Sequence, residues 1–169
     1  MKNALFALFI QQTNPEMNIP AAILEFIQPA IVTEDLCLPQ EYPTADTFEK
    51  FQEGYRYNAV TGASLIGTKP GDFLENWYVI AQNYFSDPFI VDLTEANQRF
   101  PVYYAPHGAG KWTLVKVADD ISAFAQLLSG LTAVQDDKAA VFTYLEANTD
   151  LSIALWKEVY TNFEEKEWE

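Results

Sequence analysis

The stretch WYVIAQNYFSDPFIVDL (residues 77–93) runs on into TEANQRFPVYYAPHGAGKWTLVKVADDISAFAQLL (residues 94–128), and its reading decides the fold. Four short apolar runs lie in it at close spacing: Trp77 to Ala81, Phe89 to Leu93, Pro101 to Ala105 and Trp112 to Val117. Each is rich in β-branched and aromatic residues, and polar turn residues separate them. That pattern predicts a meander of antiparallel strands. A helix is expected to close it, from about Asp119 to Ser129, with Asp119 or Asp120 capping its first turn. Gly130 stands where a left-handed stop would fall.

Working outward, Pro20 suits the start of a helix over AAILEFIQ that must end before Pro29. Thr44 to Tyr57 also reads as a helix, because Phe48, Phe51 and Tyr55 recur at i, i+3, i+7. Leu65 and Ile66 mark a short strand over Ser64 to Thr68, before the Lys69-Pro70-Gly71-Asp72 turn. Beyond Gly130, helices are predicted over Asp136 to Asn148 and, capped by Asp150, over Leu151 to about Phe163. The acidic end EEKEWE is expected to fray. Ala4 to Gln11 is apolar and fits either a short helix or a strand.

The chain has 169 residues, the size of one domain able to bury a sizeable core. Its net charge of −14 argues against nucleic acid, since a phosphate backbone attracts Lys and Arg. The same charge attracts a basic partner and speeds the encounter; its bland reading is solubility alone. Cys37 is the only cysteine, which rules out an intrachain disulfide and a cysteine metal cluster and fits a small core or loop residue. The opening MKNALFALFIQQ has one Lys and a short apolar run, with no A-x-A cleavage site after it. No run is long enough for a membrane span. The expectation is a cytoplasmic chain without membrane contact.

The string HGAGKWT around His107, the only histidine, has the look of a phosphate loop and fails as one. Ala105 stands where a Walker loop needs its first Gly, and Trp112 where it needs Ser or Thr. A hairpin turn fits better. His107 could act as a general base oriented by Asp87 or Asp92, but no nucleophile motif accompanies it. A loop histidine that caps a turn is the simpler reading. Asp87-Pro88 is a turn signal, Asp92 a strand end, and Trp77, Trp112 and Trp156 read as core or rim aromatics. The residues give an α+β domain with no convincing catalytic site, and no cofactor or metal is expected.

The order W-x-V-I-A, D-P-x-x-x-D, P-V-Y, H-G-x-G-x-W and A-x-x-x-x-x-F resembles the SUKH superfamily of fungal glucan-synthesis regulators and bacterial immunity proteins. Its bearers here are Trp77, Val79, Ile80 and Ala81; Asp87, Pro88 and Asp92; Pro101, Val102 and Tyr103; His107, Gly108 and Trp112; and Ala118 with Phe124. Upstream, Leu38-Pro39-Gln40-Glu41-Tyr42 echoes the family's helix start and Pro43 interrupts it, while Asn58 and Gly62 echo its turn imperfectly. The resemblance implies an α+β fold with a mixed, mainly antiparallel sheet of about five or six strands packed by helices. The common core would span about residues 38–131, with 132–169 a helical C-terminal extension of one domain.

It further implies a non-catalytic immunity protein that binds and neutralises a basic, nuclease-type toxin. The alternative is an intracellular regulatory scaffold of the glucan-regulator kind. Partner-binding candidates are the family-pattern positions Asp87, Asp92, His107 and Trp112, together with the acidic Asp72 and Glu75 before the first strand. For the pattern positions, turn stabilisation is the competing role.

Overall fold

The computed structural model describes residues 18–168, so the expectation for Ala4 to Gln11 lies outside the described residues. The elements are α1 (Ala21–Ile27), a 3-10 turn (Lys50–Gln52), β1 (Trp77–Gln82), β2 (Pro88–Asp92), a second 3-10 segment (Leu93–Gln98), β3 (Val102–Tyr104), β4 (Val115–Ala118), α2 (Ile121–Val134), α3 (Lys138–Asn148) and α4 (Ala154–Glu165). The fold is α+β. The strands form one antiparallel sheet in the order β1-β2-β3-β4, the meander that the apolar runs predict.

Alternation along the strands builds two cores. On one face Ile80, Phe89, Val91, Val102 and Val117 pack against the helices. On the other Val79, Ile90 and Ala105 pack beneath Tyr55 and Phe73, with Trp77, Tyr103 and Trp112 half-buried around them. PFIVD is apolar almost throughout because β2, an inner strand, is covered on both faces. A register break after Val79 admits both Ile80 and Ala81 to the helical-face core.

The helical face gathers distant segments. Ile23, Phe26 and Ile27 come from α1, Phe124, Leu128 and Leu131 from α2, and Val141 and Leu145 from α3. From α4 come Leu155, Trp156, Val159 and Phe163. The buried Trp156 indole also donates to the Val117 carbonyl at 3.1 Å. The C-terminal helices therefore complete the core. Up to Trp168 the tail carries ties to the body: Lys166 bonds Glu34 and the Gln135 carbonyl, and the Trp168 indole donates to the Phe163 carbonyl.

Several expectations are corrected. The sheet has four strands, fewer than expected, and it is wholly antiparallel. Ser64 and Ile66 form only isolated bridges, to Tyr57 and Phe73. Residues 44–57 are turns with one 3-10 turn in place of a helix. The cause is a division of labour. Phe48 enters the helical-face core, whereas Tyr55 and Phe51 join the opposite one, which a single helical stripe cannot do. Between them the fully buried Gln52 side chain pairs with the edge strand β1. Its Nε2 donates to the Val79 carbonyl and its Oε1 accepts from the Val79 N–H, both at 2.9 Å. The amide thus stands in for a neighbouring strand.

Gly130 lies inside α2, which runs on to Val134, and its φ is not left-handed. It is a close-approach glycine: a Cβ there would sit 2.1 Å from the Tyr144 hydroxyl oxygen of α3. Asp120 caps α2 through the Ala123 N–H at 2.7 Å, and Asp137 caps α3 through Ala140 at 2.9 Å. Asp150 instead closes a turn through the Ser152 N–H, and α4 begins after it at Ala154. Among the described residues no helix is long and apolar enough to cross a membrane.

Two substitutions test this account. Gln52→Ala leaves the Val79 N–H and carbonyl buried without partners and is expected to lower stability in urea unfolding by roughly 2–4 kcal/mol; a loss within error would contradict the strand-mimic role. Gly130→Ala, which in an open helix would gain about 1 kcal/mol, is expected to lower Tm because the methyl group must displace Tyr144.

Candidate functional site

The β1–β2 connection, Asn83-Tyr84-Phe85-Ser86-Asp87, is tied from within. The buried Asn83 Oδ1 accepts from the Phe85 and Asp87 N–H groups, each at 2.9 Å. Asn83 is the kind of residue that closes turns through its own side chain. Ser86 takes the left-handed conformation, φ 66°, and the Tyr55 hydroxyl donates to its carbonyl at 2.7 Å. The Tyr84 N–H is bound to the Leu36 carbonyl at 3.1 Å, which straps the turn to the segment before Leu38.

Asp87 is the node. Its Oδ1 accepts from the His107 N–H at 2.8 Å and lies 2.6 Å from His107 Nδ1. Its Oδ2 accepts from the Tyr104 hydroxyl at 2.9 Å and from Asn83 Nδ2 at 3.3 Å. Burial pushes the carboxyl pKa up, but these donors outweigh it and hold Asp87 below the usual carboxylate range. The Tyr104 hydroxyl is pushed the other way, first by burial and then by the carboxylate beside it, so it stays a donor. Tyr55 is raised to about 12 by burial, with Asp87 adding to the effect.

An ionised Asp87 can only accept, so His107 Nδ1 carries the proton of that contact; in the neutral ring Nε2 is then the acceptor, on a side chain that is 52% exposed. That is the geometry of an oriented base. Asp87, not Asp92, is its carboxylate. Among the described residues no hydroxyl or thiol is hydrogen-bonded to the His107 ring, and no group of three His, Cys, Asp or Glu could hold a metal ion. The two contacts from Asp87 to His107 fasten the 105–112 loop to the β1–β2 turn.

The predicted site residues do not converge. Asp87 and His107 sit together at one end of the sheet. Asp92 lies at the other end of β2, opposite Trp77, where it caps the second 3-10 segment through the Thr94 N–H at 2.8 Å. Asp72 closes its turn through the Lys69 N–H at 2.8 Å. Trp112 lies short of β4. Its N–H donates to the Gly71 carbonyl at 2.8 Å and its ring packs edge-on to Phe73, centroids 5.7 Å apart. Glu75 is exposed, and its carbonyl accepts from Arg56 Nη1.

Sequence reasoning passed over a second region. At the tip of the pinned turn Tyr84 and Phe85 are 67% and 51% exposed, their rings edge to face at 5.5 Å. Beside them Leu36 is also exposed. Between Leu36, Phe85 and the α4 residues Glu158, Asn162 and Phe163 lies a groove of about 470 Å³. The buried Asp35 lies along it; its Oδ1 accepts from the Cys37 N–H at 2.8 Å and its Oδ2 from Asn162 Nδ2 at 3.0 Å. Burial raises the Asp35 pKa, and Glu158 and Glu34 add to the rise. Cys37 lies beside it, its thiol pushed up to about 12 chiefly by burial. The one local signal was two adjacent aromatics inside a turn, where polar residues are the rule. No family model, no curated protein and no solved structure matches the chain.

Asp87→Asn is expected to destabilise the protein by about 2 kcal/mol at pH 7, because it breaks the charge-assisted bonds to His107 and Tyr104. Its pH signature is specific. A carboxylate depressed in the native state adds stability that is full above its unfolded value, about 3.9, and lost as pH falls through the lower native value. Urea unfolding between pH 3 and 7 should show a shallower acid-side fall in the variant than in the wild type; parallel curves would remove Asp87 from the account.

Proposed function

We propose that this chain is a non-catalytic protein-binding module that masks the basic surface of a protein partner, as an immunity protein does when it neutralises a nuclease-type toxin in the cytoplasm. The observation that carries the reading is the pair Tyr84 and Phe85, held outward on a rigid turn in a chain of net charge −14. Exposed aromatics on a pre-ordered turn make economical anchors, since little conformational freedom is lost when they are covered. The surrounding acidic surface steers a cationic partner and repels phosphate, so the reading is of protein recognition without nucleic acid or membrane. A nuclease site that holds phosphate is cationic and meets that field. The resemblance to the SUKH superfamily supports the same reading. In it the Asp87–His107 contact is a brace for the turn.

The test is capture from the source cell's lysate with the tagged protein at low and high salt, beside a Tyr84→Ala/Phe85→Ala variant. The expected result is a basic protein that the wild type binds at low salt, that high salt releases, and that the variant loses while keeping its Tm. A neutral partner retained at high salt would move the function to a regulatory scaffold. Equal capture by the variant would remove the aromatic turn from the interface.

A further inference from the structure

We infer that the groove between Leu36, Phe85 and helix α4 is the subsite that takes one lysine or arginine side chain of the partner, with the partner's flanking apolar residues lying on Leu36 and Tyr84; this rests on the basic-partner reading above. The groove joins two things a long cationic side chain needs. Leu36, Phe85 and Phe163 give its walls an apolar surface for an aliphatic stem, and Glu34, Asp35 and Glu158 give carboxylates for its head. The charges inside it do not balance. Lys166 bonds Glu34 and stands over the Trp168 ring at 4.2 Å, so the chain's own cation neutralises one end. Among the described residues no Lys, Arg or His forms an ion pair with Asp35 or Glu158.

Asp35 is held ready for such a partner. It is only 5% exposed, and the Cys37 N–H and Asn162 fix one oxygen each, leaving each a second lone pair. Its raised pKa says that these two neutral donors do not compensate the burial of its charge; an incoming cation would. Phe85 lines the same groove, and an aromatic ring there adds to the attraction for a cation. Arginine suits the site better than lysine, because a planar fork can bridge two carboxylates. The Lys166 contact shows the fold already holding one ammonium group between a carboxylate and aromatic rings.

The probe is a pair of blocked tripeptides, acetyl-Leu-Arg-Leu-amide and acetyl-Leu-Gln-Leu-amide, titrated at low salt into the full isotope-labelled chain and followed by amide NMR. The arginine peptide is expected to shift the backbone amides of Leu36, Cys37 and Phe85 and the Asn162 side-chain amide; the glutamine peptide should leave them in place. An Asp35→Asn/Glu158→Gln variant is expected to bind the arginine peptide about tenfold more weakly. Asp35→Asn keeps an acceptor for the Cys37 N–H, can still pair with Asn162 once that amide turns over to accept, and removes a charge that burial opposes, so Tm should hold or rise. Equal shifts from the two peptides, or undiminished binding by the variant, would overturn the subsite. Arginine-dependent shifts confined to another acidic surface overturn the groove and keep the basic-partner reading. No arginine-dependent shift anywhere would count against both.

Discussion

The pairing of the Gln52 side-chain amide with the backbone of Val79 is the contact on which the architecture turns. A four-stranded sheet with apolar residues on both faces needs two covers and has only enough helix for one. The second cover must be made of loop. Gln52 solves this by docking the 44–76 segment onto the open edge of β1 with two peptide-like bonds. Arg56 Nη1 adds a third, to the Trp77 carbonyl, with its guanidinium 3.9 Å from the Tyr78 ring centre. Once that segment is anchored, Tyr55 and Phe73 fall over Val79 and Ile90, and Trp112 closes the layer from the other side. Irregular chain can do a helix's work here because its backbone polar groups are satisfied by side chains, not left to water.

Asp87 does for the sheet's end what Gln52 does for its edge. One ionised carboxylate gathers donors from the β1–β2 turn, from β3 and from the 105–112 loop. Three segments that could each move become one unit. Charged acceptors make stronger bonds than neutral ones, and burial strengthens them further provided every lone pair is used. At the surface the tied backbone of the turn carries the two exposed rings of Tyr84 and Phe85. The histidine beside this aspartate is only one of its donors; Asn83, Tyr104 and the His107 backbone are the others.

What could be read from the sequence was local, and what could not was a matter of pairing. The four strands were visible because β-branched and aromatic residues cluster between turn signals, α2 because an aspartate stands where its first turn needs a cap, and α4 because its apolar residues repeat at helical spacing. Phe48, Phe51 and Tyr55 carry the same spacing and form no helix, because periodicity reports that residues are buried and not which core receives each one. Gly130 reads as a stop by type, and only the nearness of Tyr144 shows that it is a point of helix contact. Of the site residues named beforehand, Asp87 and His107 do meet, while Asp72, Glu75, Asp92 and Trp112 are held by separate local tasks. The groove was invisible for a related reason: Asp35 and Asn162 meet across 127 positions, and no spacing rule reaches that far.

The indole of Trp156 has a consequence for the sheet's outer boundary. It donates to the carbonyl of Val117 in β4, the strand at the far edge, where the register with β3 is broken. With β1 occupied by Gln52, Arg56 and the Glu41–Gln82 bridge, both rims carry donors from elsewhere in the chain. The outer strand has only four residues, one of them the charged Lys116. Such a sheet resists growth by addition of a foreign strand, and so resists the stacking that turns exposed edges into fibrils.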